Sequence, residues 1–156
     1  MSRQTRKAYT FIKPTAEPQG ISEEGWKRAH AAIEKLKRSY IEEWAPTALD
    51  ELERTLKMAR SSPDLAAEQL QAAHRLAHDM KGQGATFGFA LVSDIGGALC
   101  VLTNNRVAAT SAELRAMLAH VRAARSILTR ELEDPDCPEA HAVMRELKSA
   151  IRANLH

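Results

Sequence analysis

The residues best suited to chemistry lie between positions 74 and 88, which read His-Arg-Leu-Ala-His-Asp-Met-Lys-Gly-Gln-Gly-Ala-Thr-Phe-Gly. An unperturbed histidine titrates near neutral pH, so a ring nitrogen of His78 is available as a nucleophile. The stretch from about Leu65 to Gly82 has helical spacing, and each helical residue turns about 100° from the last. With His78 at zero, Leu65, Ala73, Leu76, Met80 and Phe87 fall on the opposite side and form the face expected to pack inward. His74, Lys81, Gly82 and Ala85 fall beside His78, which is therefore expected to project from the core. Lys81, one turn on, sets an ammonium where a phosphoryl group on the ring would sit, and ammonium groups bind phosphate as point charges. Gly82 costs a helix interior about 1 kcal/mol relative to alanine. Space for another protein's active site beside an exposed nucleophile is the expected reason for that cost.

Other chemistries fit less well. His74 and His78 have the one-turn spacing of a metal-binding pair, but no third or fourth ligand is evident and Asp79 points elsewhere on the wheel. A di-iron bundle needs Glu-x-x-His pairs on facing helices, and the chain has none. No metal site is expected. Cys100 and Cys137 have neither metal-site spacing nor the density of a disulfide scaffold. Cys100 reads as a small apolar residue rather than a reactive thiol. His30, His120, His141 and His156 are scattered and read as structural, and Arg75 as a solvated charge.

The elements that must hold His78 are helices. Ser22 with Glu23 and Glu24 marks a helix start, and Trp26, Ala29, Ile33, Leu36, Tyr40, Ile41 and Trp44 continue at helical spacing. Trp26 and Trp44 are expected to anchor this helix on the bundle. Pro46 is expected to break or restart it. Leu49, Leu52, Leu56 and Met58 mark a second segment as far as Ser61, and Ser62-Pro63-Asp64 opens the helix of His78. Gly82-Gln83-Gly84 either ends that helix or lets it run another turn. The next helix is expected over Phe87 to Leu102, another from Thr110-Ser111 to about Leu132, and a last from Pro138 through Leu155. Gly96-Gly97 in mid-helix suits either close helix packing or a small-residue surface that admits a partner. No strand pattern competes, so the fold class is all-α, an up-and-down bundle. Residues 1–20, with Pro14, Pro18 and Gly20, read as a flexible arm, and 21–156 as one domain.

Composition agrees with this and removes alternatives. The chain of 156 residues is 44% hydrophobic but only 4% aromatic, and its apolar content is mostly the helix formers Ala and Leu. Basic and acidic residues, 22 against 20, are interspersed, so neither nucleic acid nor a membrane is expected as partner. Lys35-Leu36-Lys37-Arg38 reads as a solvated helix face. No stretch approaches the roughly 18 apolar residues of a membrane span, and no secretory signal is seen. The expected location is the reducing cytoplasm.

His78-Asp79-Met80-Lys81-Gly82, with Gly88 ten residues after the histidine, resembles the signature of the histidine-containing phosphotransfer (HPt) family. That pattern is His-x-Leu-Lys-Gly followed by small residues and a glycine. Val92, Ile95 and Leu99 stand at the family's apolar positions, and the likeness is specific over roughly residues 65–103. It implies an antiparallel four-helix core, here preceded by an extra N-terminal helix or a long kinked first one, and open to a further C-terminal helix. It also implies that His78 is the phosphoacceptor through Nε2, that Lys81 helps hold the phosphoryl group, and that Gly82 clears the approach. Met80 replaces the usual Leu, a volume-conserving change on the core face. Cys100 stands where many members carry a Gln or Glu that hydrogen-bonds the imidazole. Gln71 and His74, on the face of His78, are the residues available to substitute, and Ala85 borders the same surface.

The implied activity is reversible phosphoryl transfer from an aspartyl phosphate on one receiver domain to His78 and on to another receiver. The partners would be response-regulator receiver domains and a hybrid sensor histidine kinase. Magnesium would be bound by the receiver, so the chain needs no cofactor. It lacks a P-loop or similar nucleotide motif, so it is expected to carry phosphate without kinase activity of its own, as a monomer. The rival reading is a non-catalytic helical module that binds kinase or receiver domains as an inhibitor or scaffold.

Overall fold

Ser22 opens the first helix, its hydroxyl accepting from the Gly25 N–H at 3.1 Å and so satisfying a donor that the first turn leaves free. The computed structural model describes residues 20–154, so the expected arm, except Gly20, lies outside the described residues, as do Leu155 and His156. Helix α1 spans Glu23–Ser39, with Glu23 and Glu24 in its first turn and Lys37 and Arg38 in its last, as the helix dipole favours.

Pro46 does not break the chain here. A π turn, Tyr40–Trp44, carries α1 straight into α2, Ala45–Ser61. Proline lacks an N–H and its ring crowds the carbonyl four residues back. The wider turn accommodates both: the Ala45 N–H reaches back to the Tyr40 carbonyl, and the Thr47 hydroxyl donates to the Glu43 carbonyl at 2.8 Å. Apolar positions along α1 step by three and four residues to Tyr40, step by five to Ala45, and then resume at Leu49, Leu52, Leu56 and Ala59. The apolar stripe thus stays on one side across the joint.

A short 3-10 turn, Pro63–Leu65, leads into α3, Ala66–Thr86. Gly82-Gln83-Gly84 does not end α3, which runs on to Thr86. The chain reverses at Gly88, whose φ of 86° lies in the left-handed region open to glycine. Helix α4, Ala90–Thr103, therefore starts later than the expected Phe87. A capping box opens α5, Ser111–Thr129: Thr110 Oγ1 accepts from the Glu113 N–H at 3.1 Å, and the Thr110 N–H donates to Glu113 at 2.7 Å. Leu132 falls in the loop beyond α5, and α6 spans Pro138–Asn154.

Helices α2, α3, α4 and α5 pack in a ring, each on the next and α5 back on α2, while α6 lies against the outside of α5. The fold is the expected all-α bundle, and no strand occurs among the described residues. Leu56, Leu70, Ile95, Leu99, Met117 and Ile127 are buried at its centre. Arg125 of α5 ties the ring together by pairing with Asp50 at 2.8 Å and Glu53 at 3.3 Å on α2.

The first helix departs from expectation. None of its residues is buried, and Trp44, in the π turn, is 46% exposed with its ring edge-on to Phe87 at a centroid distance of 6.4 Å. Tyr40 makes the firm junction instead. It is buried and stacks on Phe87 at 4.5 Å. The last turn of α1 is tied to the α5–α6 loop by Lys37–Glu133 at 2.5 Å and by Arg38–Glu131. No described helix is long and apolar enough to cross a membrane.

Candidate functional site

Helix α3 buries Leu70, Ala73, Ala77, Met80 and Gly84. The expected inward face was centred farther from His78: Leu65 is 40% exposed in the 3-10 turn, and Leu76 and Phe87 are only half-buried. The difference comes from α4. Helix α3 lies between α2 and α4, and its small residues let α4 come close on the side next to the histidine. A Cβ added to Gly96 would stand 2.7 Å from the Lys81 backbone nitrogen and 3.0 Å from the Ala77 carbonyl oxygen. One added to Gly84 would stand 2.8 Å from the Ser93 nitrogen. Side chains cannot yield at such contacts because the neighbours are backbone, so glycine sets the spacing of the two helices.

That spacing presents His78 outward. Its side chain is 77% exposed, although the preceding Ala77 is fully buried. Lys81 is held by its backbone against Gly96, and its methylenes run over Gly97, where an added Cβ would meet Cδ and Cε at 3.8 and 3.9 Å. The two glycines thus have separate roles, Gly96 in helix packing and Gly97 in leaving a trough for the lysine. Gly82 has nothing within 4 Å of where its Cβ would be, so the approach beside His78 is open. Gln71 and Ala85 are exposed on the same face.

Around the ring the polar neighbours are few. Asp79 Oδ1 stands 3.9 Å from His78 Nδ1, although consecutive helical residues do not normally face each other. Sequence spacing places Asp79 off the site, and only its proximity along the chain hints otherwise. His74 is turned the other way. Thr103 Oγ1 donates to the Leu99 carbonyl at 2.7 Å, so His74 Nδ1, 3.1 Å from that oxygen, is the donor to it. The His74 ring therefore braces α3 on α4. Cys100 is half-buried; burial pushes its thiol up, and the nearby Lys81 ammonium partly opposes that. It is a neutral group near the cation, with no resemblance to an amide or carboxylate.

Elsewhere little invites a ligand. No group of three or more His, Cys, Asp or Glu among the described residues is placed to hold a metal ion. A recess of about 110 Å³ lined by Ile41, Pro46, Leu49, Arg125, Leu128 and Thr129 lies by the π turn, on the α2–α5 side. It is well below the roughly 300 Å³ of a small-molecule pocket. His120 is buried on α5, its Nδ1 at 2.8 Å from the Ala116 carbonyl, and serves the core.

An antiparallel helical ring that presents one exposed histidine, with a lysine and an open glycine one turn on, has the arrangement expected of the family that the sequence resembles. The Hpt domain family model matches residues 36–127, more than half of the chain, and the chain belongs to that family. The match takes in the π turn, α2, α3, α4 and most of α5, and leaves most of α1 and all of α6 outside. Hpt domains serve histidine phosphotransfer in two-component systems and interact there with receiver domains and kinases. Comparison with curated proteins and with solved structures returns no match.

Proposed function

We propose that this protein carries a phosphoryl group on His78 and relays it between receiver domains. The observation that carries this reading is the 77% exposure of the His78 side chain on a rigid helix, with the Lys81 chain laid in its trough and open space at Gly82. In the forward step the lone pair of His78 Nε2 attacks the phosphorus of a receiver's aspartyl phosphate. The N–P bond forms as the P–O bond breaks, and the aspartate leaves as a carboxylate. The proton stays on Nδ1, so the phosphorylated ring carries a positive charge that Asp79 is placed to favour. Lys81 offsets the charge of the phosphoryl oxygens. Such transfers depend chiefly on positioning and charge neutralisation, and the magnesium that assists belongs to the receiver. The chain supplies the nucleophile and needs no cofactor of its own. A hybrid sensor histidine kinase is the natural source of the group, and a response regulator its destination.

One observation favours a second reading, a bundle that docks receivers or kinases without transfer. No described residue hydrogen-bonds the His78 ring, and Cys100 offers a half-buried thiol on the neighbouring helix. Incubation with a radiolabelled phosphoreceiver separates the two. Acid-labile label on the wild type, absent from His78→Gln of unchanged helicity, supports the carrier. Equal labelling of His78→Gln would refute the site, and binding without label on the wild type would establish the docking module.

A further inference from the structure

We infer that Arg75 is a second cation of the phosphoryl site, its guanidinium taking the oxygens of a phosphoryl group on His78 from the flank opposite Lys81. This rests on the carrier reading of His78 and adds to it a residue that touches the transferred group, where the sequence suggests only a solvated charge. Helix geometry sets the two cations symmetrically about the histidine. Lys81 follows it by three residues and lies about 60° to one side, while Arg75 precedes it by three and lies about 60° to the other. Helical neighbours three apart have Cβ atoms about 5–6 Å from each other, so both chains start equally near the ring. Lys81 and Ala77 form the flank packed on Gly96 of α4, and the lysine chain crosses Gly97 to where its charge is felt at the Cys100 thiol. Arg75 stands on the flank away from α4 and is exposed.

A phosphoryl group near neutral pH spreads roughly two negative charges over three oxygens. One ammonium offsets one of them as a point charge, whereas a guanidinium can bridge two oxygens with its fork. Helical side chains lean toward the N-terminus, so the His78 ring, and any group on its Nε2, overlies the turn that holds His74 and Arg75. Of those two, His74 is held by Thr103. Arg75 is uncommitted, with no ion pair or side-chain hydrogen bond among the described residues. The acid one turn on is Asp79, but its Oδ1 stands 3.9 Å from His78 Nδ1, and a base preceding an acid is the weaker order for a helical pair. Asp79 would also repel a phosphoryl group on that flank, and a guanidinium on the same flank offsets the repulsion.

Two radiolabelled donors, a phosphoreceiver and phosphoramidate, test this on the full chain. With phosphoramidate the bond from phosphorus to His78 Nε2 forms as the bond to the departing ammonia breaks, so no partner surface takes part. Arg75→Gln should slow labelling by about tenfold from both donors, as loss of a charge-assisted hydrogen bond would, with helicity unchanged. Arg75→Lys, which keeps the charge without the fork, should fall between Arg75→Gln and wild type. Arg122→Gln, at an exposed arginine of α5, controls for net charge and should label at the wild-type rate. Unchanged labelling of Arg75→Gln overturns the inference. Slowing with the receiver alone overturns it too, and gives Arg75 a contact on the receiver instead. Equal slowing of Arg122→Gln would show a general charge effect and refute it as well. The carrier reading fails by different signs, and takes this inference with it: wild type that accepts no label from either donor, or label that survives His78→Gln.

Discussion

Replacing Gly96 by alanine tests the packing that presents His78. Alanine in a helix interior is favoured over glycine by about 1 kcal/mol, so on an open helix the change would stabilise. Here the new Cβ would stand 2.7 Å from the Lys81 nitrogen, 2.9 Å from its Cα and 3.0 Å from the Ala77 carbonyl oxygen. All three atoms are backbone of α3, so no rotamer change relieves the contact, and the helices must part. Overpacking a tight interior costs typically 1–3 kcal/mol, and a backbone clash belongs at or above the upper end. Set against the propensity gain, the expected net loss is about 2 kcal/mol or more. For a chain of this size that lowers Tm by at least roughly 4–8 °C. Gly97→Ala is the control. Its Cβ meets only the Lys81 methylenes, at 3.8 and 3.9 Å, so the propensity gain should survive and Tm should rise. Thermal unfolding followed by circular dichroism reads both variants side by side. Equal shifts of the same sign would refute the claim that Gly96 sets the α3–α4 spacing.

Further outcomes can be checked in the same laboratory. Gly82→Ala should raise stability by up to about 1 kcal/mol, since nothing lies within 4 Å of its Cβ, yet slow phosphotransfer from a receiver at least tenfold if that space admits the partner; unchanged transfer would remove the access role. Lys81→Met should lower the yield of labelled His78 and also raise the Cys100 thiol pKa further, because the ammonium now opposes the effect of burial. The rate of thiol alkylation against pH reads that shift, and a downward move would contradict it. Burial holds His120 below the ordinary imidazole value of 6.5, so the unfolded chain takes up a proton that the folded chain resists. Stability should therefore be level above about pH 6.5 and fall as pH drops below it, and His120→Met should flatten that slope in urea titrations. Tyr40→Phe should be neutral or stabilising, because the buried hydroxyl has no hydrogen-bond partner among the described residues and burial has pushed its pKa up to about 12; a loss of more than about 1 kcal/mol would show a partner for that oxygen.

Much of the architecture was legible in the chain because local chemistry and fold agree. Ser22, Ser62-Pro63, Thr110 with Glu113, and Pro138 are cap and start signals whose physics is complete within one turn. His78, Lys81 and Gly82 were readable for a similar reason, since one helix carries all three. What escaped depends on neighbours far along the chain. The inward face of α3 is set by how closely α4 approaches, and that depends on pairing Gly84 and Gly96 with backbone on the opposite helix. The outcome at Pro46 was hidden because a proline can end a helix or widen it, and the choice depends on burying Tyr40 against Phe87. Likewise His74 looked available to His78 until Thr103, 29 residues on, proved to hold it.

The π turn at Tyr40–Trp44 also changes what an insertion or deletion means in this stretch. In an ordinary loop, losing a residue shortens a connection. Here, with both flanking helices continuous through the turn, losing one residue would restore the α-helical ladder and turn the five-residue step from Tyr40 to Ala45 into a four-residue one, which keeps the stripe of α1 on the same side. What would go is the room that the wide turn gives Pro46, whose ring crowds the carbonyl four residues back. Adding a residue that the turn cannot absorb would instead swing α1 by about 100° around its own axis, so an insertion there is a rotation and a deletion is a straightening.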